Sequence, residues 1–199
     1  MVLDRFLEDR HSGFYVDVGA HHPKRFSNTF RLYRRGWRGL NIDANPESMR
    51  LFQRVRPKDI NVEAGVSSNR QLLTYYAFNE PALNTFDKDL ALKRVGGIYS
   101  IVKEVKIMCA PLRELLDEHL PANTRIDLLT VDVEGLDYDV LRSNDWSRYS
   151  PEFILVECMK FATLDHASAD PVVALLSEHH YSVVAKTMHT VLFRLKLKD

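Results

Sequence analysis

The chain alternates between short, mainly apolar runs and amphipathic runs, and most of the apolar runs end in or near a glycine or an acid. Phe14-Tyr-Val-Asp-Val-Gly-Ala20, Leu40-Asn-Ile-Asp-Ala44, Ile60-Asn-Val-Glu-Ala-Gly-Val66, Ile126-Asp-Leu-Leu-Thr-Val-Asp132 and Phe153-Ile-Leu-Val-Glu157 have the length and composition of buried strands. Between them, residues 27–35, 46–52, 111–119, 136–141 and 170–179 repeat their apolar positions at helical spacing. Ser27 is the expected N-cap of the first of these helices, and Pro46 sits in the first turn of the second. The chain closes with Tyr181–Ala185 and Thr190–Leu195, joined too closely for a parallel crossover, so this pair is antiparallel. Five strands with helical crossovers and a terminal hairpin make a doubly wound α/β sheet with helices on both faces.

Within 199 residues there is no repeat and no Ser/Gly linker, so residues 1–199 read as a single domain. The regular alternation breaks between about 67 and 110, where two strand-like runs flank a loop and a short helix. This stretch carries Tyr75, Tyr76, Phe78, Asn84, Thr85, Tyr99 and Gly96-Gly97, a composition that suits a cover over a small-molecule acceptor and equally suits ordinary packing. Lys+Arg and Asp+Glu are 27 each, which argues against a nonspecific nucleic-acid binder. No apolar run is long enough to span a bilayer, and the first ten residues lack a signal-peptide core, so the expected location is cytoplasmic, with no membrane insertion. Cys109 and Cys158 lie in apolar runs without a CxxC and read as buried thiols. The histidine pairs 21–22 and 179–180 lack the spacing that sets two metal ligands on one helix face. Oligomeric state leaves no sign in the sequence.

In a doubly wound sheet ligands bind at the carboxyl ends of the strands, so strand-end residues are the candidates. Gly19 allows a sharp turn and a close ligand approach, and the amides opening the next helix are a possible anion site. His21, His22 and Pro23 stand where a dinucleotide fingerprint has glycines, which disfavours a pyrophosphate cradle. Asp43 lies 24 residues after Gly19, where an acid accepts both ribose hydroxyls, and Asn45 is the better cap for the following helix. Gly65-Val-Ser67 ends the third strand, beside the expected adenine edge. Asp132 and Glu134 follow an apolar strand, and Glu157 ends the next one; carboxylates placed so need a partner, and adjacent strand ends can bring them to one pocket.

Taken together, these residues resemble the FkbM family of S-adenosylmethionine-dependent methyltransferases. The resemblance lies in Phe14–Ala20, Ser27-Asn-Thr29, Gly36–Pro46, Glu80–Phe86, Leu128–Gly135 and Ile154–Glu157. It implies the class I methyltransferase (Rossmann-like) fold, a seven-stranded sheet whose last strand is antiparallel, with an insertion between strands 3 and 4. It implies S-adenosyl-L-methionine as cofactor, held by Asp17, Gly19, Ala20, His21, Thr29, Asp43, Ala44, Ser67 and Asp132. The expected reaction is O-methylation of a small molecule, a sugar, glycan or secondary metabolite. A hydroxyl is a poor nucleophile, so its proton must be taken during attack; the candidate bases are Glu134 and then His22, with Asp132 beside the methyl. A second route is Mg²⁺ held by Asp132 and Glu157. This sequence has His21-His22-Pro23 where the family has Asn-x-Gly. The competing readings are an NAD-dependent oxidoreductase on a similar sheet and a non-catalytic scaffold.

Overall fold

A computed structural model describes residues 2–7, 9–46, 48–157 and 170–196. A short helix α1 (Val2–Leu7) leads into β1 (Phe14–Val18), α2 (Phe30–Arg34), β2 (Arg38–Asp43), α3 (Ser48–Val55) and β3 (Ile60–Glu63). Next come β4 (Gly65–Val66), β5 (Gln71–Phe78), a 3-10 turn (Pro81–Leu83), α4 (Lys88–Arg94) and β6 (Ile101–Ala110). The chain continues through α5 (Leu112–His119), β7 (Leu128–Val131), α6 (Asp137–Arg142), β8 (Phe153–Glu157), α7 (Pro171–Glu178), β9 (Tyr181–Lys186) and β10 (Thr190–Leu195).

Seven strands form the main sheet in the order β3-β2-β1-β7-β8-β10-β9. The first five run parallel, and β10 is antiparallel to both β8 and β9. The terminal hairpin expected from the short connection is therefore present. Register explains why helices lie on both faces. Tyr15, Leu128 and Phe153 are aligned across three strands, and they pack with Leu3, Leu7, Leu32 and Trp37 from the side of α1 and α2. Val16, Leu129 and Ile154, one residue along, point the other way and join Leu115, Leu116, Val140, Leu141 and Leu176 from α5, α6 and α7. The strand order reverses between β1 and β7, and the cleft outside the carboxyl ends opens there.

Three expectations are corrected. The run Ile60–Val66 is not one strand: β3 ends at Glu63, and Gly65-Val66 pairs with Cys109-Ala110 in a separate three-stranded sheet of order β4-β6-β5. Gly65 permits this, because a Cβ there would lie 2.4 Å from the Cys109 sulfur. The helix expected from Ser27 starts at Phe30; Phe26 has φ +57°, and the Ser27 hydroxyl accepts the N–H groups of Thr29 and Phe30 from one turn earlier. The helix expected from Pro46 starts at Ser48. Helix α1, for which no expectation was formed, buries Leu3 and Leu7 one helical turn apart. Cys109 is buried, and burial pushes its thiol up to about 11; Cys158 lies outside the described residues.

Candidate active site

A cavity of about 240 Å³ sits at the reversal point, with the ends of β1, β2 and β7 on one side and residues 75–86 of the second sheet's region on the other. Gly19 makes the first turn possible. Its φ is +78°, and a Cβ would lie 1.8 Å from the Asp132 carbonyl oxygen, so β1 and β7 can both deliver their ends to the same space only with glycine here. The Gly19 and Ala20 amides donate to the Ile42 carbonyl at 2.9 and 3.1 Å. They are thus engaged in holding the two loops together, and the helix whose opening amides are the expected anion site, α2, begins at Phe30, ten residues after Ala20.

Asp43 is buried, and its carboxylate accepts the N–H groups of His21 and Asn45, each at 2.7 Å, one on each oxygen. Burial raises its pKa against the pull of those two donors. Each oxygen retains a further acceptor direction, which is what a vicinal diol requires. Asp17 is deeper. Burial pushes it up to about 6, although the Arg56 guanidinium and the Thr29 hydroxyl, which donates at 2.5 Å, favour its charged form.

The Asp132-Val-Glu-Gly135 turn forms the opposite wall. Glu134 has φ +54° and Gly135 φ +112°, and the Asp137 carboxylate accepts the N–H groups of Val133 and Gly135 at 3.2 and 3.3 Å. From across the cavity the Thr85 hydroxyl donates to the Glu134 carbonyl at 2.7 Å. Arg94, in the last turn of α4, donates to the Glu134 carboxylate and, at 3.0 Å, to the Leu83 carbonyl. Carboxylate oxygens of Asp132, Glu134 and Glu157 lie within 4.8 Å of one another. Burial first, and then the neighbouring carboxylates, raises Asp132 well above its usual value and pushes Glu157 up to about 7. The oxygen set expected for Mg²⁺ is thereby enlarged by Glu134, and Arg94 already supplies a positive charge at the same cluster.

The cavity is lined by Asp17, Gly19, Ala20, His21, Asp43, Ala44, Asp132 and Glu134 from the expected set. Thr29 lies behind Asp17, and Ser67 is buried in the second sheet, where its hydroxyl donates to the Asn69 carbonyl at 2.7 Å; neither lines the cavity. His22 does not line it either. Its Nδ1 accepts the N–H groups of Lys24 and Arg25 at 3.0 and 2.9 Å, which takes that nitrogen out of use as a base. His21 does line it, with an Nε2 that is buried and finds no partner among the described residues; burial and then Arg25 lower its pKa. Of the aromatic residues in 67–110, Tyr75 and Phe86 line the cavity and pack on each other at 4.9 Å between ring centres, while Tyr76 and Phe78 pack on Ala91 elsewhere. Two important arginines went unnoticed in the sequence. Arg94 is one. Arg56 is the other: fully buried, it donates to Asp59 at 2.8 Å, Tyr15 at 2.6 Å and Thr29 at 3.0 Å, and so fixes the floor beneath Asp17.

Residues 17–183 match the Methyltransferase FkbM domain. The chain belongs to the FkbM methyltransferase family. A crystal structure of methyltransferase FkbM from Methylobacillus flagellatus KT has the same fold, with a TM-score of 0.53 and 13% sequence identity over 92% of this chain. That alignment takes in 44% of the Methylobacillus protein, so this chain spans less than half of its length. None of the curated proteins matches the chain. The cavity carries one pair of acids, Asp17 and Asp43, at the β1 and β2 ends and another, Asp132 and Glu134, on the turn after β7. Among the described residues no helix is long and apolar enough to cross a membrane.

Proposed function

We propose that this FkbM domain uses S-adenosylmethionine to methylate a hydroxyl of a small-molecule acceptor, a sugar, glycan or secondary metabolite. The observation that carries the reading is the convergence of Asp17, Gly19, Asp43, Asp132 and Glu134 on one cavity at the reversal point of the sheet. The cofactor would supply a methyl group on a sulfonium, which is an excellent leaving group. Asp43 accepts the ribose hydroxyls, and Gly19 gives the chain room beside them. Glu134 is the proton acceptor, placed on the wall and held there by Arg94. Positioning then does most of the catalytic work, since nucleophile and methyl must align at about 3 Å. Residues 67–110 act as the cover of the acceptor side.

Titration calorimetry with S-adenosylhomocysteine, and with NAD as a control, tests this. Micromolar binding of the first alone is expected; binding of NAD alone, or of neither, overturns the reading. Asp43→Ala should weaken S-adenosylhomocysteine by more than about tenfold, because two hydroxyls lose a buried acceptor. An unchanged affinity would remove Asp43 from the ribose role.

A further inference from the structure

We infer that the groove between the α6–β8 connection and the end of α7 is a second binding site, and that its ligand is a neutral small molecule carrying a secondary amide. The groove lies apart from the methyl-transfer cavity. It is lined by residues that precede β8, by the end of α7 and by the start of β9, which puts it at the amino end of β8. The cavity sits at the carboxyl ends of the strands parallel to β8. The volume of the groove is about 660 Å³, within the ~300–1,000 Å³ usual for drug-sized ligands.

Two atoms carry the inference. The Asn144 Oδ1 and the Trp146 Nε1 are buried, and neither finds a partner among the described residues. Both residues line the groove, and Asn144 as a whole is only 8% exposed. Neither group can turn to relieve itself. The Asn144 Nδ2 donates to the Tyr149 carbonyl at 2.9 Å, so reversing the amide would set oxygen against oxygen. The Trp146 indole stacks on the His179 ring at 5.1 Å and meets the Tyr181 ring edge-on at 5.6 Å, which fixes the direction of its N–H. Neighbouring groups are engaged: the Tyr181 hydroxyl donates to the Pro151 carbonyl at 2.7 Å, and the Asp145 carboxylate accepts the Ser147 N–H and hydroxyl at 3.1 and 2.6 Å. What is left over is one acceptor and one donor, two residues apart on one connection. Buried polar groups are nearly always paired, and an orphan is costly.

A secondary amide completes both, since its N–H donates to Asn144 and its carbonyl accepts from Trp146. The charged side chains of the groove, Arg113 and Arg142 against Asp145 and Glu178, balance, which suits a ligand without net charge. Leu175 and the rings around Trp146 give an apolar wall for the body attached to the amide.

The chain has two tryptophans, and Trp37 already donates from its Nε1 to the Arg10 carbonyl at 3.1 Å, so the two indole N–H groups report separately by NMR. On titration with N-benzylacetamide the Trp146 signal should move downfield and saturate while the Trp37 signal stays. Benzyl acetate, the ester of the same shape without the N–H, should bind at least about tenfold more weakly. N-acetylglucosamine and N-acetyl-L-leucine methylamide then distinguish an acylated sugar from a peptide as the source of the amide. Trp146→Phe should weaken N-benzylacetamide about tenfold in titration calorimetry, and the comparison of amide with ester in the wild type stands if that variant does not fold. An unmoved Trp146 signal, an ester that binds as well as the amide, or equal shifts of both indoles would overturn the inference. Competition by S-adenosylhomocysteine would place the amide in the other cavity and overturn it as well.

Discussion

Gly19, Arg56 and Glu134 illustrate three ways in which one residue governs the site. Gly19 is a matter of space: with a Cβ 1.8 Å from a backbone oxygen and a φ of +78°, Gly19→Ala must push β1 and β7 apart. The expected loss is about 3 kcal/mol or more, measured as a lower urea midpoint with the same slope. Arg56 is a matter of charge. Replacing it by methionine strands Asp59 and Asp17 without their cation, and a drop of about 3–5 kcal/mol is expected in the same assay. Glu134 is a matter of chemistry: Glu134→Gln should retain S-adenosylhomocysteine affinity and lose turnover once an acceptor is in hand, and full activity would remove it as the base. Asp43, Asp132 and Glu134 were legible because an acid after an apolar strand has few ordinary explanations. Arg56 and Arg94 were not. Each follows or ends a helix rich in ordinary surface cations, and Arg94's carboxylate partner lies 40 residues away. Asp59 is three residues after Arg56, but an Arg–Asp pair at that spacing is ordinary on a surface, while the contacts that mark Arg56 as buried, to Thr29 and Tyr15, lie 27 and 41 residues back.

Among elements, the parallel strands were the easiest to read, because β7 and β8 are buried on both faces and carry unbroken apolar runs. The division of β3 from β4 was not, since Ala64-Gly65-Val66 continues the apolar pattern while changing sheets. α1 passed unnoticed because its six residues show too little periodicity to separate from an irregular start. What holds the segment after α1 down is electrostatic. Arg10 donates to both oxygens of Glu152 at 2.9 and 2.6 Å, and Arg125 adds a further bond at 2.7 Å. The hydrogen bond from Arg10 first of all holds the Glu152 pKa below its usual 4.5. A depressed folded-state value contributes stability above the unfolded value and loses it as pH falls through the folded one. Glu152→Gln should therefore cost about 1 kcal/mol at neutral pH, with Arg10 partly exposed, and the difference from wild type should shrink as pH falls below the usual 4.5 and close once it passes the depressed folded-state value. A gap that persists in acid would point to packing instead.

At the scale of the whole molecule, the strand order places the cavity where two halves of the sheet diverge, and the second sheet leans over it. Thr85 and Arg94 tie this second sheet's region to the turn after β7, at a backbone oxygen and a side chain of Glu134. At about 240 Å³ the cavity is smaller than the ~300–1,000 Å³ usual for drug-sized ligands, so on the proposed reading cofactor and acceptor together would need the second sheet's region to part from the β7 turn. Binding of S-adenosylhomocysteine should then slow amide exchange at 132–137 and at 84–94 together, read by hydrogen–deuterium exchange. Protection confined to 132–137 would show the two to be independent. The chain crosses from one sheet to the other over Ala64 alone, and the Ala64 N–H is bonded to the Asp43 carbonyl at 3.0 Å. Such a joint has no slack. Any tilt of the second sheet would pull along this tether on the very peptide that carries Asp43, so that sheet and the β2 end would move as parts of one lever, with its fulcrum at Ala64.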